Sequence, residues 1–340
     1  MAIEKRSEIL FLYEVKDANP NGDPLESNKP RIDPDTGVCT VTDVRIKRTI
    51  RDYWTNRKGL EILVRDTFND DGTLKTGKAR AKAFYDKAGL TDGSDVGEVK
   101  EKLRKVIVEE CIDARVFGCT LPFDVKKKKG KKDEDKDKGA TVSDSLTLTG
   151  PVQFSSFNRS YHRVLAQFVQ GTAAFASEEK AYHKSFREDY LLPYALIGVY
   201  GVVNELASKT TGMTELDRQL LLEGLWGGTN DLISRSKIGH QPLMLLHFVY
   251  KDGFRLGDLA GKVTLTAREG LDETAIRSWS DYELDFSRLV EATMRAEGNI
   301  EAVAWKADPA FPWAEDILQS LRKELPGKTE ALDFSARSFS

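Results

Sequence analysis

This chain has little to build a metal or redox centre from. Its 340 residues include three cysteines (Cys39, Cys111, Cys119) and four histidines (His162, His183, His240, His247). No CxxC pair and no HExxH spacing occurs. A structural zinc site usually draws its ligands from close pairs, so no metal site and no cofactor are expected. An odd, sparse cysteine set fits a reducing compartment, not a disulfide framework. The GxGxxG and GxxxxGK[ST] fingerprints of nucleotide-binding loops are missing, as is the GxSxG nucleophile elbow. No apolar run reaches the roughly 18 residues of a membrane helix. The opening Met-Ala-Ile-Glu-Lys-Arg lacks the apolar stretch of a signal peptide. A cytoplasmic protein with no membrane contact is expected. Net charge is −3, which excludes a uniformly positive coat but leaves room for a local basic face.

What is present is a globular composition. About 40% of residues are apolar, enough for one large domain with insertions or two modest ones. Residues 8–15, EILFLYEV, predict a buried strand. Residues 17–37 are dense in Asn, Pro, Gly and Asp, a long turn-rich loop of the kind that often carries function. A helix is predicted over 43–56. At about 100° per residue, Ile46, Ile50, Tyr53 and Trp54 share one arc, and Arg45, Lys47, Arg48 and Arg51 the opposite one. A second helix is predicted at 98–111, and 114–121 (ARVFGCTL) reads as a strand breaking at Gly118. Further strands are predicted at 146–157, 191–203, 243–250, 262–266, 282–286 and 300–306, with helices at 215–233, 287–297 and 313–324. Irregular alternation of this kind favours an α+β fold with an antiparallel sheet.

Three features could carry chemistry. The basic helix face matches a row of phosphates, though a solvated amphipathic helix gives the same pattern. The stretch 151–163, PVQFSSFNRSYHR, mixes rings with cations, as a platform for unpaired bases would, or as an ordinary strand end does. Arg235 and Lys237 close the helix near 234–237. The low-complexity stretch 124–142 is either a solvated loop or a basic arm weakened by neighbouring acids. Asp17, Asp23, Asp33 and Asp35 sit where turn chemistry alone accounts for them.

Three stretches add to this reading. They are NPNGDP, PRIDPDTG and VTDVRIKRTIRDYW within 19–54, ARVFG with GPVQFSSFNRS (114–118 and 150–160), and LLPYAL (191–196). Their order and wording resemble the Cas-seven family, the backbone subunit of type I CRISPR Cascade, with the type I-B branch most similar. The resemblance covers about 8–250 and implies a palm like an RNA-recognition motif (ferredoxin-like), with helical fingers and a thumb. It implies palm at 1–56, fingers at 57–112, palm strands at 113–159, thumb at 160–190, and the rest of the palm with C-terminal helices at 191–340. It also implies a non-enzymatic subunit that binds guide CRISPR RNA, stacks in several copies, and presents the guide to a target DNA strand. Its partners would be the large, small and guide-end-capping subunits. The RNA contacts it implies are Asn19, Asn21, Arg31, Arg45, Lys47, Arg48, Arg51, Phe157, Asn158, Arg159, His162, Arg163, Arg235 and Lys237. Type III relatives cut target RNA with an Asp in the loop before the palm helix. Aligned through Asp33-Pro34, that position is Asn28 here, which favours a non-cutting subunit over a metal-dependent ribonuclease.

Overall fold

The computed structural model describes residues 1–69, 71–91, 94–126, 141–176 and 184–334. In chain order the elements are β1 (Ser7–Ala18), β2 (Gly22–Asp23), β3 (Lys29–Pro30), β4 (Val38–Thr42), α1 (Asp43–Lys58), α2 (Gly77–Lys82), α3 (Val96–Glu110), α4 (Ile112–Phe117), β5 (Gly118–Lys126), β6 (Thr141–Thr149), β7 (Val152–Phe154), β8 (Phe157–Arg163), β9 (Gln167–Ala176), β10 (Lys184–Val203), α5 (Glu205–Thr211), α6 (Glu215–Asn230), β11 (His240–Tyr250), β12 (Thr264–Ala267), β13 (Tyr282–Asp285), α7 (Ser287–Arg295), β14 (Ile300–Ala307), α8 (Ala314–Glu324) and β15 (Thr329–Ala331). The chain divides into two units, one made of Met1–Glu4, Arg51–Gln153 and Asn204–Leu222, the other of Lys5–Ile50, Phe154–Val203 and Glu223–Ser340.

The second unit is built on a sheet in the order β15-β14-β11-β1-β10-β8-β4, with β9 pairing to β10. The pairs are antiparallel except β14–β15, which is parallel. The sheet is therefore mixed, where a wholly antiparallel one was expected. β1 lies at its centre because SEILFLYEV is buried along its whole length, as a strand flanked on both edges and covered on both faces must be. Leu10 and Leu12 belong to a core that includes Leu246, Phe248, Leu289, Ile317 and Leu321, so α7 and α8 cover that face. Phe11 and Tyr13 face the other way, toward Ile46 and Ile50 of α1.

One buried acid ties the middle of the sheet. Glu8 of β1 accepts hydrogen bonds from Tyr200 of β10, from Tyr250 Oη of β11 at 2.6 Å, and from the backbone amides of Leu256 and Gly257 at 2.8 and 3.0 Å. With its oxygens satisfied by fixed donors, the carboxylate can remain in the interior.

The first unit packs α2 and α3 against the β5–β6 hairpin. Val99, Leu103 and Ile107 recur at helical spacing along α3 and meet Leu121, Phe123, Leu146 and Leu148. Residues 114–117, expected as strand, are helical. Asp113 explains the departure: its carboxylate accepts from the amides of Leu63 and Val64 at 2.6 and 3.1 Å and from Arg51 Nε at 2.8 Å. The strand begins only at Gly118, whose φ of +73° and close approach to the Leu148 carbonyl leave no room for a Cβ. α6 opens as expected at Thr214, which exchanges hydrogen bonds with Asp217.

Candidate nucleic-acid interface

Strand β8 sorts its residues by the two-residue period of a strand. Phe157, Arg159 and Arg163 are exposed and Tyr161 is half-buried, while Asn158, Ser160 and His162 are buried. The outward row therefore reads ring, cation, ring, cation. Phe157 keeps 52% of its surface in water. Beside it, Arg159, Tyr161, Tyr200, Asp258 and Gly261 line a cavity of about 330 Å³. Gly198 of β10, paired in register with Arg159, leaves space for the Tyr161 ring, since a Cβ there would lie 2.6 Å from the phenol oxygen. The phenol donates to the Ala260 carbonyl at 3.1 Å.

The buried row does structural work. The Asn158 amide donates to the carbonyls of Val41 and Ser155, both at 3.1 Å, and accepts from the Tyr200 amide at 3.2 Å, joining β4, β8 and β10. His162 stacks on Tyr194 and turns Nδ1 to the carbonyls of Arg163 and Glu273; burial pushes its pKa down, keeping the ring neutral. Both side chains were expected to face RNA, and their burial corrects that. Arg163 is exposed but pairs with Asp272 at 3.0 Å and Glu273 at 3.4 Å. Arg159 lies near Asp33, whose carboxyl is held below its ordinary value chiefly by the amides of Asp35 and Thr36, with a smaller pull from Arg159.

The long loop is internally tied. Asn19 is buried and donates to the Asn28 carbonyl at 2.7 Å, while its own carbonyl accepts from Lys237. Asn21 Oδ1 accepts from both the amide and the hydroxyl of Thr42 at 2.9 Å, fixing the entry to α1. Arg31 pairs with Asp23 at 2.8 Å. Asn28 takes a left-handed φ of +57°, and its side chain fills the space where a Cβ on Gly22 would sit. Asn19 and Asn21 thus shape the loop, their side chains bonded within the protein.

On α1 the expected row of four outward cations breaks up. Arg51 is buried, paired with Asp113 and set over the Phe117 ring. Lys47 pairs with Asp43 at 2.9 Å and its side chain is only 14% exposed, Arg45 donates to Thr49 at 3.0 Å, and Arg48 is half-buried. The most exposed residue on this turn is Val44. Ile46, Ile50 and Trp54 are buried as the periodicity predicts.

Arg45 instead belongs to a cluster that spacing in sequence does not reveal. Lys237 is half-buried near it, and burial first, then the charge of Arg45, brings the Lys237 pKa down to about 7. The remaining influence on Lys237 is Cys39, itself pushed up by burial to about 12. His240 stacks on Tyr13 and donates through Nδ1 to the Lys237 carbonyl at 2.6 Å; burial lowers its pKa to about 3, with Lys237 and Arg45 adding to the fall. Burial disfavours the charged form of the Lys237 amine, and an arriving anion would favour it. Arg235, on the same loop, is exposed and pairs with Asp189 at 3.3 Å. Tyr161, one of the rings that the sequence reading set among the cations of 151–163, takes its place in the outward row by the alternation along β8. Among the described residues no three His, Cys, Asp or Glu side chains are grouped to hold a metal ion.

The hairpin of β9 and β10 occupies part of the stretch expected as a thumb; residues 177–183 of that stretch, and 127–140 of the expected charged loop, lie outside the described residues. A family model described as CRISPR-associated protein Cas7 matches residues 5–287. The CRISPR-associated protein Cas7 of Haloferax volcanii is 31% identical over 311 residues, which cover 89% of this chain and 87% of that protein. Two solved structures titled CRISPR RNA-guided surveillance complex, one of them pre-nicking, match 96% of this chain and 94% or more of theirs. Their identities are 13% and 14%, with TM-scores of 0.47 and 0.48.

Proposed function

Because the chain belongs to the CRISPR-associated protein Cas7 family, we propose that it binds guide RNA as a repeating backbone subunit of a surveillance complex. It holds the strand by phosphates and base faces without reading the letters. The observation that carries this is the outward row of β8, where Phe157, Arg159, Tyr161 and Arg163 alternate ring with cation. A ring needs only the π-face every base has, and a guanidinium only a phosphate, so the row grips a single strand of any sequence. The cluster of Arg45 and Lys237 supplies a second phosphate-sized positive centre.

On this reading several copies line one guide, as in type I Cascade and most like its I-B branch, with the β9–β10 hairpin reaching toward the next copy. The free base edges pair with target DNA, and the other subunits of the complex complete the particle in the cytoplasm. The subunit cuts nothing: the loop position comparable to a catalytic Asp is Asn28, and a neutral amide neither acts as base nor holds a metal as a carboxylate does.

The test is a filter-binding titration of the Phe157→Ala/Arg159→Glu double variant with single-stranded RNA of several sequences. Affinity should fall at least about tenfold, equally for every sequence, with the melting temperature unchanged. Undiminished binding overturns the assignment of this row. Regularly spaced cleavage of complementary RNA in magnesium would overturn the non-cutting role.

A further inference from the structure

A second recess in the sheet-bearing unit is not used by the reading above. Lys16, Arg268, Ser278, Trp279, Glu283 and Trp313 line an open recess of about 550 Å³, within the range of small-molecule and nucleotide sites (roughly 300–1,000 Å³). Two half-buried indoles in one recess are unusual outside a binding site, because exposed aromatic surface of this size is costly to leave in water.

Their polar edges are already occupied. The Trp279 Nε1–H donates to Glu14 at 2.8 Å, and that of Trp313 points at Glu283 at 3.4 Å. The rings therefore offer π-faces more than hydrogen bonds. Tyr282 backs Trp313 in a parallel stack, centroids 5.2 Å apart and planes within 14°. Phe311 meets both indoles edge-on, which fixes their planes. A flat ring entering the recess would extend this stack.

The charges at the rim select among flat ligands. Lys16 Nζ lies 5.2 Å from the Trp279 ring centroid. Arg268 is exposed, and its side chain has no hydrogen-bond or ion-pair partner among the described residues. Of the nearby acids, Glu14 is buried and already taken by Lys16 and Trp279. Hydroxyls of Ser278 and Ser280 and the Glu283 carboxylate offer partners for the edge of a ring. Aromatic faces with the unpartnered Arg268 at the mouth, beside Lys16, which Glu14 holds at 2.8 Å, match a base joined to a phosphate. The Lys16 amide donates to the Gly239 carbonyl at 2.8 Å, in the loop that also carries Lys237.

We propose that this recess takes one unstacked nucleobase of the bound single strand, stacked against Trp313 and Trp279, with Lys16 and Arg268 on its phosphate. The proposal rests on the RNA-binding reading and names a base site for it. The test uses the full chain with adenosine monophosphate and with a short single-stranded RNA carrying 4-thiouridine, read by intrinsic tryptophan fluorescence and by mapping photo-crosslinked peptides. Quenching by both ligands is expected, with crosslinks at Trp279 or Trp313. Trp313→Ala should weaken both at least about tenfold, Trp313→Phe should restore most of the affinity, and the surface change Arg268→Glu should weaken both without touching the packed rings. If the RNA binds, yet quenching is absent and both Trp313→Ala and Arg268→Glu bind as the parent does, the base site is wrong while the RNA-binding reading stands. Quenching by a proline-rich peptide but by neither nucleotide would make the recess a protein-docking site and overturn the proposal. Failure of the parent chain to bind either nucleotide ligand sinks both readings.

Discussion

Arg51 and Lys237 are both cations drawn out of water, in different units of the molecule, and their surroundings are opposite. Arg51 meets the carboxylate of Asp113, which also takes two backbone amides. Lys237 meets a carbonyl, and the charge pressing on it is that of Arg45. The first arrangement is complete and serves the fold. The second is held at a cost in the folded protein alone, which is a reason to expect an external anion.

The comparison breaks most visibly at Asp113. Asp113→Ala leaves a buried guanidinium and two amides without their acceptor and should cost about 3–5 kcal/mol of stability, measured by urea denaturation. A loss under about 1 kcal/mol would show that the pair is not what secures Arg51.

Lys237 should behave in the reverse sense. Its folded pKa of about 7 lies below the ordinary lysine value of 10.5, so between those limits the unfolded chain binds more protons. This group's contribution therefore makes stability rise with pH from about 7 to 10.5, and below 7 its penalty is fully present. Lys237→Met should remove that slope. RNA favours the protonated amine, so affinity should weaken above pH 7 by up to about tenfold per unit, and the variant should bind weakly with that dependence gone. Isothermal titration across pH 6 to 9 measures this; an unaltered profile in the variant would remove Lys237 from the phosphate site.

The smallest effect is expected where cations are already partnered at the surface. Asp272→Asn with Glu273→Gln releases Arg163. Exposed ion pairs are worth about 0–1 kcal/mol, so stability should scarcely move, while RNA affinity rises a few-fold. The salt dependence should steepen by about 0.7 in log–log slope, one more phosphate contact on a single strand. A flatter slope would mean that Arg163 faces no phosphate.

The sheet and most of its helices were legible because burial leaves a period. The apolar run of β1, the four-residue spacing of Ile46, Ile50 and Trp54, and Thr214 at the head of α6 all show in the letters. Charge left no such trace. Arg51 sits on the helical arc of Lys47, yet a carboxylate far along the chain draws it inward. Residues 114–117 look like strand until Asp113 is seen fastening a turn of helix. Along β8 the letters did hold the answer: counting in twos separates Phe157, Arg159 and Arg163 from Asn158 and His162. The crowding of Arg45 and Lys237 depends on tertiary contact, and no local window contains it.

Glu8 has a consequence for where all this chemistry ends up. Were β1 to slide by one residue between its neighbours, the acid would swing to the opposite face of the sheet, and two phenols and two amides would lose their shared acceptor. The carboxylate thus works like the notch of a key, admitting the middle strand in a single alignment. Lys16 hangs from the far end of that strand, roughly 27 Å away at the rise of an extended chain, so a residue remote from any ligand sets where it comes to rest.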